Sequence, residues 1–335
     1  MPVNRKLVAA IDGEKVAFGL VDGDPSVVRA IREQETGDFP TFTDALQAYL
    51  REHHVAATGL DFGLAVAGVA RGDTISLANC RWYISVSGLR SFFGSEPLVL
   101  NDFESIAWSL TGLDPASVQR VGPLPPRPIR PGSTFLVVGT GPGLGVAVLA
   151  MGREGKVRVY PSEGGHASFA PQNADEDALL AHLRARHGHV SYERLLAAFG
   201  LQNIHGWLAM KSGRTAGPAP AAETIVNAAQ RGDAMAGEAI AIFARILGSF
   251  VGDIVLATGT FDGVYLVSPL LGALRPALTD DRFRAAMIGK GRLKKALEPV
   301  AVGYAEGRSP RLRGMAAALA ARSAASGEPV APARA

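Results

Sequence analysis

The stretch FLVVGTGPGLGVAVL, Phe135 to Leu149, is two apolar runs joined by a turn in which Gly139, Gly141, Gly143 and Gly145 alternate with other residues. Such a turn beside an apolar run invites two phosphate-binding readings. The dinucleotide fingerprint needs the glycines to open a helix, and here a second strand-like run follows. The P-loop needs Gly-Lys-Ser/Thr after its glycines, and none follows. The segment is therefore a hairpin, and KVRVYPSE (Lys156 to Glu163) reads as its third strand before the chain turns helical.

The N-terminal half opens in the same way. KLVAAID, EKVAFGLVD and VVRAIREQET are three strand-like runs, with Asp12–Gly13 as a tight-turn signal between the first two. TFTDALQAYLREHH then places Phe42, Ala45, Leu46, Tyr49 and Leu50 on one helical face, with Thr41 or Thr43 as N-cap. GLAVAGV (63–69) reads as one buried strand, SGLRSFFG as a short helix, and PLVLND as a strand running into the helix FESIAWSLTGL. After the proline-rich GPLPPRPIRPGS (122–133), the hairpin strands lead to the helices DEDALLAHLRARHG and SYERLLAAFGLQNIHGWLAMK and a long Ala-rich pair, 221–256. GVYLVSP and the weaker AVGYAEG are further strands, and RLRGMAAALAARSAA is a last helix. Two halves that each begin with three hairpin-connected strands and continue as alternating helix and strand predict a duplicated α/β lobe with a cleft between the copies. The expected division is a smaller lobe at 1–121, a connector at 122–133, a larger lobe at 134–324 and a disordered tail at 325–335.

Composition narrows the function classes. The 335 residues are 47% hydrophobic with a net charge of +3, and both signs are mixed along the chain. The basic clusters KGRLKK (290–295) and RSPRLR (308–313) carry no interleaved aromatics and read as solvated helix faces, not as a nucleic-acid surface. No apolar run of about 18 residues predicts a membrane span, and the N-terminus lacks a signal-peptide core. One cysteine, Cys80, leaves no disulfide framework or cysteine-rich zinc site, and points to a reducing, cytoplasmic setting.

Four short elements carry candidate chemistry. In LNDFES, Asn101 and Asp102 end a strand before a helix, where α/β sheets bind ligands. Asp102 there is either a proton acceptor or simply the helix N-cap. In SEGGHASFAP, Glu163 and His166 flank two glycines in a loop, a donor–acceptor set suited to a polyol. In HGHVSYERLL, Ser191 or its neighbour caps a helix with Glu193 in its first turn, a placement the helix dipole alone would favour. In LANCRWYIS, Asn79 precedes Trp82 on an irregular segment.

Taken in order, LANCRW, LNDFES, GTGPGLGVA, SEGGHASFAP, GHVSYERLL, ATGTFDGVYL and RFRAAMIGKGRL resemble the bacterial glucokinase family, from Lys6 to about Ala320. The resemblance implies a two-lobed hexokinase/actin-like (duplicated ribonuclease H-like) α/β fold with an active-site cleft between the lobes. It implies transfer of the γ-phosphoryl of ATP, with magnesium, to the 6-hydroxyl of glucose or a related hexose by a homodimer. Asp102 falls on the catalytic base, and Asn79, Asn101, Glu163, His166 and Glu193 on sugar-binding positions. Asp12 and Gly13 fall on the first phosphate hairpin, with Asp12 able to reach magnesium through water. Gly139, Thr140, Gly141, Gly143 and Gly145 fall on the second hairpin, and Gly259 and Thr260 near the nucleotide.

The sugar motifs are intact and the phosphate motifs depart from the family. Glu14 and Ala17 stand where the first hairpin has threonine and arginine, and Pro142 stands where the second has threonine. Ser268 and Pro269 replace a glycine pair after the late strand. Proline supplies neither hydroxyl nor N–H. These departures leave two expectations open: a working ATP-dependent glucokinase, or a catalytically impaired sugar-binding sensor or regulator.

Overall fold

The computed structural model describes residues 5–77, 80–214 and 219–326. The chain forms two compact units, one of residues 1–113 with 307–335 and one of residues 114–306.

The first unit is built on β1 (Arg5–Ile11), β2 (Lys15–Asp22) and β3 (Arg29–Glu35), an antiparallel meander. Helix α1 (Phe42–Glu52) follows. Its N-cap is Thr41, locked by a capping box with Asp44. The run 63–69 is not one strand: β4 (Asp61–Val66) lies parallel to β1, while β5 (Gly68–Arg71) leaves for a small sheet with β6 (Thr74–Leu77) and β7 (Tyr83–Ser85). Its uniform apolarity hides the break at Ala67. Then come α2 (Val86–Phe93), closed by Gly94 in the left-handed conformation, β8 (Leu98–Asn101) parallel to β4, and α3 (Asp102–Ser109). The main sheet runs β3-β2-β1-β4-β8.

The second unit repeats this plan. After β9 (Gln119–Val121), the meander β10 (Thr134–Thr140), β11 (Leu144–Met151) and β12 (Val157–Ser162) is followed by α4 (Ala174–His187), α5 (Glu193–Leu196), α6 (Ala198–Lys211), α7 (Ala222–Gln230) and α8 (Ala234–Thr258). Strand β13 (Gly263–Val267), helices α9 (Pro269–Leu278), α10 (Asp281–Ile288) and α11 (Lys294–Leu297), and β14 (Val302–Ala305) complete it. The sheet order is β12-β11-β10-β13-β14-β9. Both sheets thus place the first strand of a meander beside two parallel strands, as the duplicated pattern predicts. Helix α8 is long and apolar enough to cross a membrane, which a search for one unbroken apolar run overlooks because Arg245 and Asp253 interrupt it. Phe243, Leu247, Phe250 and Val251 bury it in the core of this unit, and Gly248 and Gly252 leave no room for a Cβ against the Phe283 and Met287 carbonyls of α10.

Two expected boundaries move. The proline-rich stretch is not a connector between units. It packs within the second, where β9 pairs with β14, Pro126 lies against Gly303, and the Arg127 carbonyl accepts from Tyr265 Oη at 2.8 Å. The last helix, α12 (Pro310–Ser326), belongs to the first unit. The reason lies in β1, which is buried on both faces. Leu7, Ala9 and Ile11 join the α1-side core, while Val8 and Ala10 need a second cover. Leu312, Met315, Ala316 and Leu319 provide it. The tail beyond Ser326 and Asn79 lie outside the described residues.

Candidate active site

In the first unit the candidate base starts α3. Asn101, not Asp102, is the N-cap: its Oδ1 accepts from the N–H groups of Phe103 (2.9 Å) and Glu104 (3.3 Å). The capping explanation of this aspartate therefore falls to its neighbour, and Asp102 Oδ2 is left to face Arg311 Nη2 at 3.3 Å. Glu104 lies in the same first turn, and burial pushes its carboxyl above the ordinary range, offset in part by hydrogen bonds from the Asn101 backbone and the Trp108 side chain.

The first hairpin turn is tight. Asp12 N–H donates to the Lys15 carbonyl at 3.1 Å, and Gly13 has φ +102° at the position where a two-residue turn favours glycine. Asp12 Oδ1 accepts from Lys15 N–H at 3.1 Å, and Oδ2 lies 3.4 Å from Arg311 Nη1. Lys15 itself turns to Glu33 and Glu35.

In the second unit, Glu163, His166 and Glu193 come together from a loop and a short helix 30 residues apart. His166 Nε2 is 3.8 Å from Glu163 Oε2 and 3.9 Å from Glu193 Oε2. These gaps exceed direct hydrogen bonds, so the three side chains do not pair off with one another. The Glu163 side chain is 82% exposed, the Glu193 side chain only 22%. Two close approaches shape the cluster. Gly165 lies on the Leu144 carbonyl, which a Cβ would meet at 2.3 Å. Glu193 Oε2 accepts from Leu144 N–H at 3.1 Å and would meet a Cβ on Gly143 at 2.7 Å. A side chain at 143 would displace the Glu193 carboxylate from this position. Ser191 caps nothing. Tyr192 precedes α5 without a side-chain cap, and Ser191 bridges to Ser168.

The second hairpin turn closes by Gly141 N–H to the Gly143 carbonyl at 2.9 Å across an exposed Pro142, with Gly139 opposite Gly145 in the ladder behind. A Cβ on Gly141 would meet nothing within 4 Å, so open space borders this residue. Thr140 is buried, with its N–H 3.4 Å from Ser268 Oγ. Ser268 has φ +131°, a conformation that glycine adopts freely. Pro269 is the first residue of α9, where a missing N–H costs least, so it removes no donor that the helix would have bonded. Two residues expected near the nucleotide also serve the fold. Gly259 is the left-handed cap that ends α8, and Thr260 is fully buried with its hydroxyl 3.0 Å from that of Thr258.

The basic clusters are not simply solvated. Lys290 reaches Asp253 Oδ1 at 2.6 Å and Ser249 Oγ at 3.0 Å, and Arg311 faces two candidate site carboxylates. Sequence reading missed Arg311 because nothing local distinguishes it from Arg308 or Arg313. Only the return of α12 to the first sheet brings it to Asp102.

Both units carry the strand plan of the hexokinase/actin-like fold. A family model described as Glucokinase matches residues 7–322, and the chain belongs to that family. It is 35% identical over 318 residues to a glucokinase of Chromobacterium violaceum, covering 94% of this chain and 89% of that protein. It is 34% identical over 316 residues to a bifunctional protein glk of Burkholderia orbicola, covering 94% of this chain but 48% of the relative, so it spans about half the length of that protein. The crystal structure of a glucokinase from an Antarctic psychrotroph superposes with a TM-score of 0.82 at 29% identity, over 95% of this chain and 99% of the other.

Proposed function

We propose that this chain is an ATP-dependent glucokinase that converts glucose to glucose 6-phosphate. The observation that carries the reading is the cluster of Glu163, His166 and Glu193 in a chain of the glucokinase family. Two carboxylates accept and an imidazole both donates and accepts, which matches adjacent hydroxyls of a hexose. In the first unit, Asn101 is the residue that family resemblance assigns to the sugar. Asp102 takes the proton of the 6-hydroxyl as that oxygen attacks the γ-phosphorus. The bond from the γ-phosphorus to the bridging oxygen breaks, and ADP leaves. Positioning and charge neutralisation carry most of the rate, and magnesium enters with ATP as part of the substrate. Gly141 gives the triphosphate close approach to backbone. Asp12 meets magnesium through water, a role that rests on family resemblance. A homodimer and a cytoplasmic setting complete the reading. The first rests on family resemblance and is checked by light scattering, and the second on the single free Cys80.

The test is a coupled assay for glucose 6-phosphate with purified protein, wild type beside Asp102→Ala. Wild type turns over with glucose, ATP and magnesium. The variant loses about 10² to 10⁴ in kcat, the range for one acid–base group, and keeps its thermal shift with glucose. Wild-type protein with no turnover at millimolar ATP overturns the reading.

A further inference from the structure

Arg311 is the second residue of α12, far in sequence from both carboxylates it faces. Nη1 lies 3.4 Å from Asp12 Oδ2 and Nη2 lies 3.3 Å from Asp102 Oδ2. Its Nε is buried and has no hydrogen-bond partner among the described residues. The backbone beneath it is fixed: Ser105 Oγ donates to the Arg311 carbonyl at 2.6 Å, and Gly314 lies directly on the Ser105 carbonyl. The helix that carries Asp102 and the helix that carries Arg311 are thus pinned together at the point where the guanidinium leaves its backbone.

Both contacts are longer than the 2.7–2.9 Å of a tight charge-assisted hydrogen bond. The fork is shared between two carboxylates and not spent on one. Lys15, the nearest lysine to Asp12 along the chain, is engaged with Glu33 and Glu35. Without Arg311, Asp12 and Asp102 would lose the cation they share. A triphosphate arriving there would add negative charge to the same neighbourhood.

We infer that Arg311 is a positioning residue for phosphoryl transfer: its guanidinium joins the Asp102 carboxylate to the Asp12 turn and offsets their charge as the triphosphate arrives. This rests on the glucokinase reading above. The lysine variant retains the charge but not the fork, because an ammonium does not span two carboxylates in one plane.

The test compares wild type, Arg311→Met, Arg311→Lys and Arg311→Ala by steady-state kinetics at saturating glucose and at saturating ATP, with a thermal melt of each. Arg311→Met lowers kcat by about a hundredfold, the scale of a misplaced reacting group, while KM for glucose changes less than about threefold. Arg311→Lys falls between it and wild type. Guanidinium ion at non-denaturing concentration restores part of the kcat of Arg311→Ala, and sodium chloride at the same ionic strength does not. A purely structural role would lower the melting temperature without guanidinium rescue. An active wild type beside an Arg311→Met that is folded and retains its kcat overturns this inference alone, as does the lack of guanidinium rescue. A wild type with no turnover overturns the glucokinase reading and this inference with it.

Discussion

At the scale of single residues, the structure separates duties that the sequence leaves merged. Asn101 and Asp102 are adjacent polar residues before a helix, and either could cap it. Backbone geometry gives the cap to Asn101 and frees Asp102. Glu163 and His166 were legible as candidates because a carboxylate and an imidazole flank two glycines in one loop, whereas Glu193 had a sufficient local reason in the helix dipole. Arg311 was not legible, because its partners are set by tertiary contact alone. Ser268 holds a glycine conformation, which costs about 1–3 kcal/mol. Its hydroxyl caps α9 only at 3.4 Å, and replacing such a cap by glycine costs a few tenths of a kcal/mol. Strain wins, so Ser268→Gly stabilises the chain by about 1 kcal/mol or more in urea unfolding, and Ser268→Ala destabilises it. A glycine variant no more stable than wild type would refute the strain argument. Glu104 gives a pH test. Its folded carboxyl is raised above the unfolded value, so its contribution is most favourable below about pH 4.3 and is lost as pH rises through the folded value. Glu104→Gln is therefore more stable than wild type at pH 7.5, with the gap closing toward pH 4. A gap independent of pH between those limits would sink the assignment to burial.

At the scale of elements, the hairpin-first pattern was readable because strand–turn–strand and strand–turn–helix have different periodicities around the same glycines. The break at Ala67 was not, since β4 and β5 are apolar on both sides of it. Nor was the partner of α12, since a small-residue helix can cover any apolar face. The crossing of α3 and α12 depends on Gly314, where a Cβ would sit 1.6 Å from the Ser105 carbonyl oxygen. Helix propensity alone favours alanine over glycine by about 1 kcal/mol. The clash is with backbone and cannot be relieved by a rotamer, so the helices must separate, at about 3 kcal/mol or more. Gly314→Ala therefore loses roughly 2 kcal/mol net by chemical denaturation and also lowers kcat, because it displaces Arg311 from Asp102. A variant more stable than wild type would show that propensity governs and that the crossing is loose.

At the scale of the whole molecule, the two units differ in how the chain builds them. The second is one continuous segment, while the first is closed by a helix that returns after 193 intervening residues, 114–306. The duplication was legible from repeated patterns, but repetition says nothing about which copy a terminal helix completes. The burial on both faces of β1 decides it: Val8 and Ala10 share a buried cluster with Leu312, Met315, Ala316 and Leu319 of α12. Burying a large apolar side chain contributes about 1.5–3 kcal/mol. Leu312, Met315 and Leu319 together contribute roughly 5–9 kcal/mol, comparable to the whole stability of a typical domain. A chain ending at Glu306 therefore keeps a folded second unit and loses the first. Limited proteolysis reads this directly: the truncated chain is cut throughout 1–113 under conditions where 114–306 persists, and the full chain resists in both. Equal resistance of residues 1–113 in the two chains would mean that the first sheet needs no cover on that face, against the burial pattern of β1.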